Sequence, residues 1–127
     1  MDTKVTKDLL QVKLLFILNI GQDVSMRGEG ISLRQALSRI NYHELRTQFT
    51  PKDLLPLLRM QPQIIDQWLM YSADKRTSSG WYIKESGEVG QVDNPKSSLY
   101  FASMEIAVAE YVVRELDFWD EEILKHP

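Results

Sequence analysis

His43-Glu44 begins like the HExxH pattern, in which two imidazoles four apart on a helix hold zinc and the glutamate acts as base. Thr47 stands where the second histidine is required, and the only other histidine, His126, lies one residue from the end. The pair reads as surface residues. Ser72, Ser78 and Ser79 have no G-x-S-x-G elbow and only those two histidines to serve as base. A Ser-Lys pairing through Lys75 is an option of negligible specificity. Gly28-Glu29-Gly30 lacks the remainder of a GxxxxGK[ST] phosphate loop, and Gly87 and Gly90 have the context of turn glycines. With no cysteine in the chain, thiolate metal sites, cysteine nucleophiles and disulfides are excluded, which suits a reducing cytoplasm. These patterns predict a non-enzymatic protein with no metal site and no cofactor.

Charge gives a more positive lead. Residues 103–127 carry seven of the eighteen carboxylates but only two of the fifteen Lys and Arg, so this segment is near −5 and the rest near +2. An acidic, partly apolar surface suits a cationic protein better than a polyanion. On a helical projection, Met104, Ala107, Val108, Tyr111, Val112, Phe118 and Trp119 share one side, and Glu105, Glu110, Asp117, Asp120 and Glu121 the other. Ile106, Ala109, Val113 and Leu116 fall among the acids. That mixture fits either an interface with a basic, partly apolar partner, a homodimer seam, or a helix buried on both sides in its middle. The residues assigned to partner binding are Asp117, Asp120, Glu121 and Glu122. Arg76 and Tyr82 join them from the segment 74–82, where charges, hydroxyls and aromatics meet; there Lys75-Arg76 also suits a helix C-terminus. One of Trp81 and Tyr82 must face the core, because strand neighbours point to opposite sides.

The elements that must position these residues follow from spacing and caps. Leu9 to Ile20 predicts a buried N-terminal helix ended by Gly21; its apolar run is divided by Gln11 and Lys13 and is too short to span a bilayer, so no membrane partner is expected. Ser32 caps a second helix that ends at Asn41, Thr50-Pro51 opens a third interrupted or kinked by Pro56, and Pro62 starts a fourth. Short β-like runs then follow over 81–101: Trp81 to Ile83, Glu88 to Val92, and Ser98 to Phe101 after a turn at Asn94-Pro95. Ser103 caps a terminal helix over about 104–123, with Glu105 in its first turn. Four helices, a three-stranded antiparallel meander and a long helix make an α+β order in one domain, 1–127. Arg34, Arg39, Arg46, Lys52 and Arg59 are spread over 34–59, a helical region whose two consecutive short helices imitate a helix-turn-helix. They supply the alternative, a helix-turn-helix-like nucleic-acid regulator, which the acidic pI near 5.4 opposes.

The run DKRTSSGWYI, a polar hairpin ending in VG, and the helix AVAEYVVRELDFW resemble small bacterial immunity proteins to polymorphic toxins. The likeness covers roughly residues 66–119 and is carried by Asp74, Lys75, Arg76, Gly80, Trp81, Tyr82, Gly90 and the terminal helix. It implies a cytoplasmic protein that neutralises a cognate toxin by binding it, acidic side chains opposing a basic nuclease surface.

Overall fold

The N-terminal helix α1 runs from Thr3 to Val24, past Gly21 rather than ending there. The reason is tertiary. Trp68 lies against that glycine so closely that a Cβ there would stand 2.9 Å from the indole Cδ2, and the indole N–H donates to the Leu18 carbonyl at 2.8 Å. Leu14, Ile17, Leu18 and Ile20 are buried, whereas Leu9, Val12 and Phe16 are exposed. The expectation of a buried helix therefore holds for one face of α1 and fails for the other.

The computed structural model describes residues 3–24, 31–75 and 78–126. Helix α2 (Leu33–Arg39) starts at Ser32 through a reciprocal capping box with Gln35, and Asn41, in the left-handed region at φ 50°, turns the chain into α3 (Tyr42–Leu45). Thr50 makes a second capping box with Asp53 at the head of a 3-10 turn, Pro51–Leu54. Helix α4 (Leu55–Met60) follows directly, and Pro56 sits in its first turn, where a missing N–H costs nothing. Pro56 thus marks a change from 3-10 to α geometry instead of a kink. Pro62 leads α5 (Gln63–Asp74).

Three antiparallel strands in the order β1-β2-β3 follow: Trp81–Ile83, Glu88–Gln91 and Asn94–Tyr100. Strand β3 starts four residues earlier than the spacing predicts, because Gln91 already pairs with Asn94 across a two-residue turn. The register then shifts between Val89 and Gln91, and the Gln91 N–H is taken by the Ser97 hydroxyl at 2.7 Å. Helix α6 (Met104–Lys125), capped by Ser103, completes an α+β fold.

Helix α6 touches α2, α4, α5, β1 and β2, so its middle is enclosed except along the stripe of Glu110 and Arg114, which stay partly exposed. Ala107, Val108, Ala109, Tyr111, Val112, Val113, Glu115 and Leu116 are all buried. Ala109, Val113 and Leu116, which the helical projection put among the acids, belong to the core. Among the described residues, no helix is long and apolar enough to cross a membrane.

Gly21→Ala tests the contact with Trp68. The substitution gains up to ~1 kcal/mol of helix propensity but forces an overlap of the kind that costs ~1–3 kcal/mol. A net loss of about 1–2 kcal/mol is expected in denaturant unfolding, and a gain in stability would show that the indole moves aside freely.

Candidate functional site

The acidic end of α6 is held against α3. Asp117 Oδ1 accepts from the Tyr42 hydroxyl at 2.7 Å and from Arg46 Nε at 2.9 Å. Arg46 also donates to the Phe49 carbonyl at 2.9 Å and stacks over the Phe49 ring. One turn along, Asp120 Oδ2 lies 2.9 Å from His43 Nδ1. Asp117 and Asp120 are therefore tied within the molecule, and their charge is partly spent on orienting α3. Glu121 is exposed, and Glu122 is half-buried with Lys125 Nζ 3.9 Å from its carboxylate. The structure brings these four acids to one end of one helix, but only Glu121 and Glu122 have no donor from another element among the described residues. Arg76 lies outside the described residues.

Tyr82 belongs to the sheet instead. Trp81 packs against the core with Arg114 over its ring, and Tyr82 takes the opposite face, as strand alternation requires. Its hydroxyl bonds to the Glu88 carboxylate and lies 2.9 Å from Ser98 Oγ. Tyr100 donates to the other Glu88 oxygen at 2.7 Å. These two phenols hold the Glu88 carboxyl below its ordinary pKa, and Glu88 in turn pushes the Tyr100 hydroxyl up. Gly90 permits the arrangement, since a Cβ there would stand 2.7 Å from the Tyr82 oxygen.

The residue that sequence reasoning missed is Glu115, which is 0 % exposed in the middle of α6. Its Oε2 accepts from the Tyr71 hydroxyl at 2.9 Å and pairs with Lys75 Nζ at 2.6 Å. Its Oε1 accepts the Trp81 N–H at 2.8 Å. Lys75, with its side chain 10 % exposed, also donates to the Trp81 carbonyl at 2.9 Å. Ser72 Oγ takes the Ile83 N–H at 3.0 Å. Since the Gly80 carbonyl accepts from Val92 and the Lys84 N–H donates to Glu88, the groups of Trp81 and Ile83 face outward, and side chains of α5 and α6 fill the place of a fourth strand. Gly80 (φ +90°) closes the assembly: a Cβ there would lie 2.7 Å from both Glu115 Oε1 and Lys75 Nζ, and 3.1 Å from Trp119 Nε1. The missed signal was positional. Glu115 continues the spacing of Val108, Tyr111 and Val112 on the core side of the helix, where a carboxylate needs a partner.

The carboxylate at the centre of this cluster is saturated. Every carboxylate oxygen of Glu115 has a donor, and Lys75 lines an open groove of about 370 Å³ beside Trp81, Tyr82 and Lys84. Among the described residues no three His, Asp or Glu side chains converge to hold a metal. Comparisons with protein-family models, with curated proteins and with solved structures found no match.

Removing one side of the buried pair leaves the other charge stranded. Glu115→Ala and Lys75→Met should each cost about 3–5 kcal/mol in denaturant unfolding, and the double variant Glu115→Leu, Lys75→Met less than the sum. Strict additivity would show that the pair is not coupled.

Burial together with the Asp117 or Glu115 carboxylate pushes the Tyr42 and Tyr71 hydroxyls well above the ordinary phenol value, and burial does the same to Tyr111. A raised folded-state pKa means that the native chain keeps protons which the unfolded chain releases. The stability from this source is whole below about pH 10 and is lost as the pH rises beyond it. In an alkaline titration, the phenolate absorbance of these three tyrosines should appear only with unfolding. Their ionisation ahead of the loss of helical circular dichroism would contradict their burial.

Proposed function

We propose that this chain is a non-enzymatic protein-binding module, an inhibitor of the immunity type whose acidic C-terminal end meets a basic partner protein. The observation that supports it most is the contrast between two sets of charges. Glu115 with Lys75, Asp117 with Arg46 and Asp120 with His43 find their partners within the molecule, as structural ionisable groups do, whereas Glu121 and Glu122 extend the same acidic helix outward. A rigid helix with its inner acids anchored presents its outer acids in a fixed geometry, which favours electrostatic steering of a cationic partner. Asp117 and Asp120 then serve to hold α6 and α3 in register beneath the contact, and Arg76 and Tyr82 are secondary candidates for it.

The nucleic-acid reading has less support. Arg34 donates to the His126 carbonyl at 2.7 Å and Arg46 is committed to Asp117, which removes two of the five cations it relies on. The α-helices that carry Arg34, Arg39 and Arg59 span only seven and six residues.

A tagged pull-down from the native cell tests the proposal, with the captured species identified by mass and by absorbance. A stoichiometric basic protein, lost as salt is raised, is the expected result. Glu121→Lys with Glu122→Lys should slow its association about tenfold or more and flatten the salt dependence, with the melting temperature unchanged. Unchanged kinetics would remove this end of α6 from the contact, and co-purifying nucleic acid would replace the proposal with the regulator reading.

A further inference from the structure

Helix α1 leaves an apolar stripe outside the core. Leu9 is 54 %, Val12 47 % and Phe16 54 % exposed, and their spacing of three and then four residues is that of a coiled-coil seam. The core contacts of this helix, Leu14, Ile17 and Leu18, lie on its other side. Phe16 also borders a groove of about 320 Å³ lined by Ile20, Ile31, Ala36 and Ile40 together with the charged Asp23 and Arg39, so the stripe passes there into a mixed surface. Contiguous exposed apolar surface of this kind marks a contact.

We propose that α1 pairs in parallel with α1 of a second copy of this chain. The charges flanking the stripe choose that occupant. With Leu9 and Phe16 at the first seam position of successive heptads and Val12 at the second, Asp8 falls on one flank and Lys13 on the other. The two are five residues apart in the sequence, the offset at which flanking residues of parallel two-stranded pairs meet. Asp8 of each chain thus faces Lys13 of the other, twice per dimer. An antiparallel pair would set each flank against its own copy and bring lysine toward lysine. The seam lies on α1, since of the apolar residues that α6 carries among its acids Ala109, Val113 and Leu116 are consumed by the core and Ile106 alone is exposed.

Sedimentation of the full chain across a concentration series provides the test. The wild type should form a dimer. Phe16→Glu should abolish it with unaltered helical content and melting, and Leu9→Glu should act alike should the first variant misfold. Asp8→Lys and Lys13→Asp should each weaken the dimer about tenfold, and the double variant should restore it. A chain that stays monomeric at the highest concentration overturns the proposal, as does a dimer indifferent to both Phe16→Glu and Leu9→Glu. Failure of the double exchange to restore affinity overturns the parallel register. A monomer that instead sediments with anionic phospholipid vesicles, and loses this with Phe16→Glu, assigns the stripe to a bilayer surface and overturns it equally.

Discussion

A carboxylate with no access to water organises this fold. Glu115 is costly to bury, and the chain meets that cost with three donors drawn from two other elements: the Tyr71 hydroxyl and Lys75 ammonium of α5 with its cap, and the Trp81 N–H of β1. A purely apolar contact among α5, β1 and α6 would tolerate sliding by a fraction of a turn. The carboxylate does not, since each oxygen has a fixed set of directions in which it can accept. Helix and sheet are locked in one relative register as a result, and the left-handed Gly80 is what lets the backbone come close enough for it.

The second anchor on the same helix works at lower stakes. Asp117 and Asp120, two to five residues beyond Glu115, collect Tyr42, Arg46 and His43 near the surface. Going along α6 toward its C-terminus, the acids pass from buried and saturated, through half-buried and paired, to exposed. One helix therefore acts first as a core element and then as a presented surface. The aromatic cluster of Trp68, Tyr71 and Tyr111, packed edge to face, stiffens the buried part of that gradient.

Much of the fold could be read from sequence because its punctuation is local. Ser32, Thr50-Pro51 and Ser103 are helix starts whose donors and acceptors lie within three residues, and strand alternation alone separates Trp81 from Tyr82. The misreadings share the opposite property. Gly21 looks like a helix end until Trp68, far along the chain, is seen against it. Asp117 and Asp120 look like free charge until Tyr42, Arg46 and His43 are brought from more than seventy residues away. Glu115 was counted as one more acid in an acidic segment, although its place on the apolar stripe distinguishes it from its neighbours. Charge summed over a segment hides which of its members face inward.

The closure of β1 also sets an order of events during biosynthesis. Ser72 and Lys75 precede the strand, but the carboxylate that takes the Trp81 N–H arrives with α6, after the whole sheet. A nascent chain emerged through β3 holds Trp81-Tyr82-Ile83 as an incompletely guarded sheet edge, apolar and β-prone, while Lys75 lacks its counter-ion. Such an edge is a template for pairing with another chain. Only when α6 docks does that edge become inert, so the arrival of this helix converts an adhesive intermediate into a protected one.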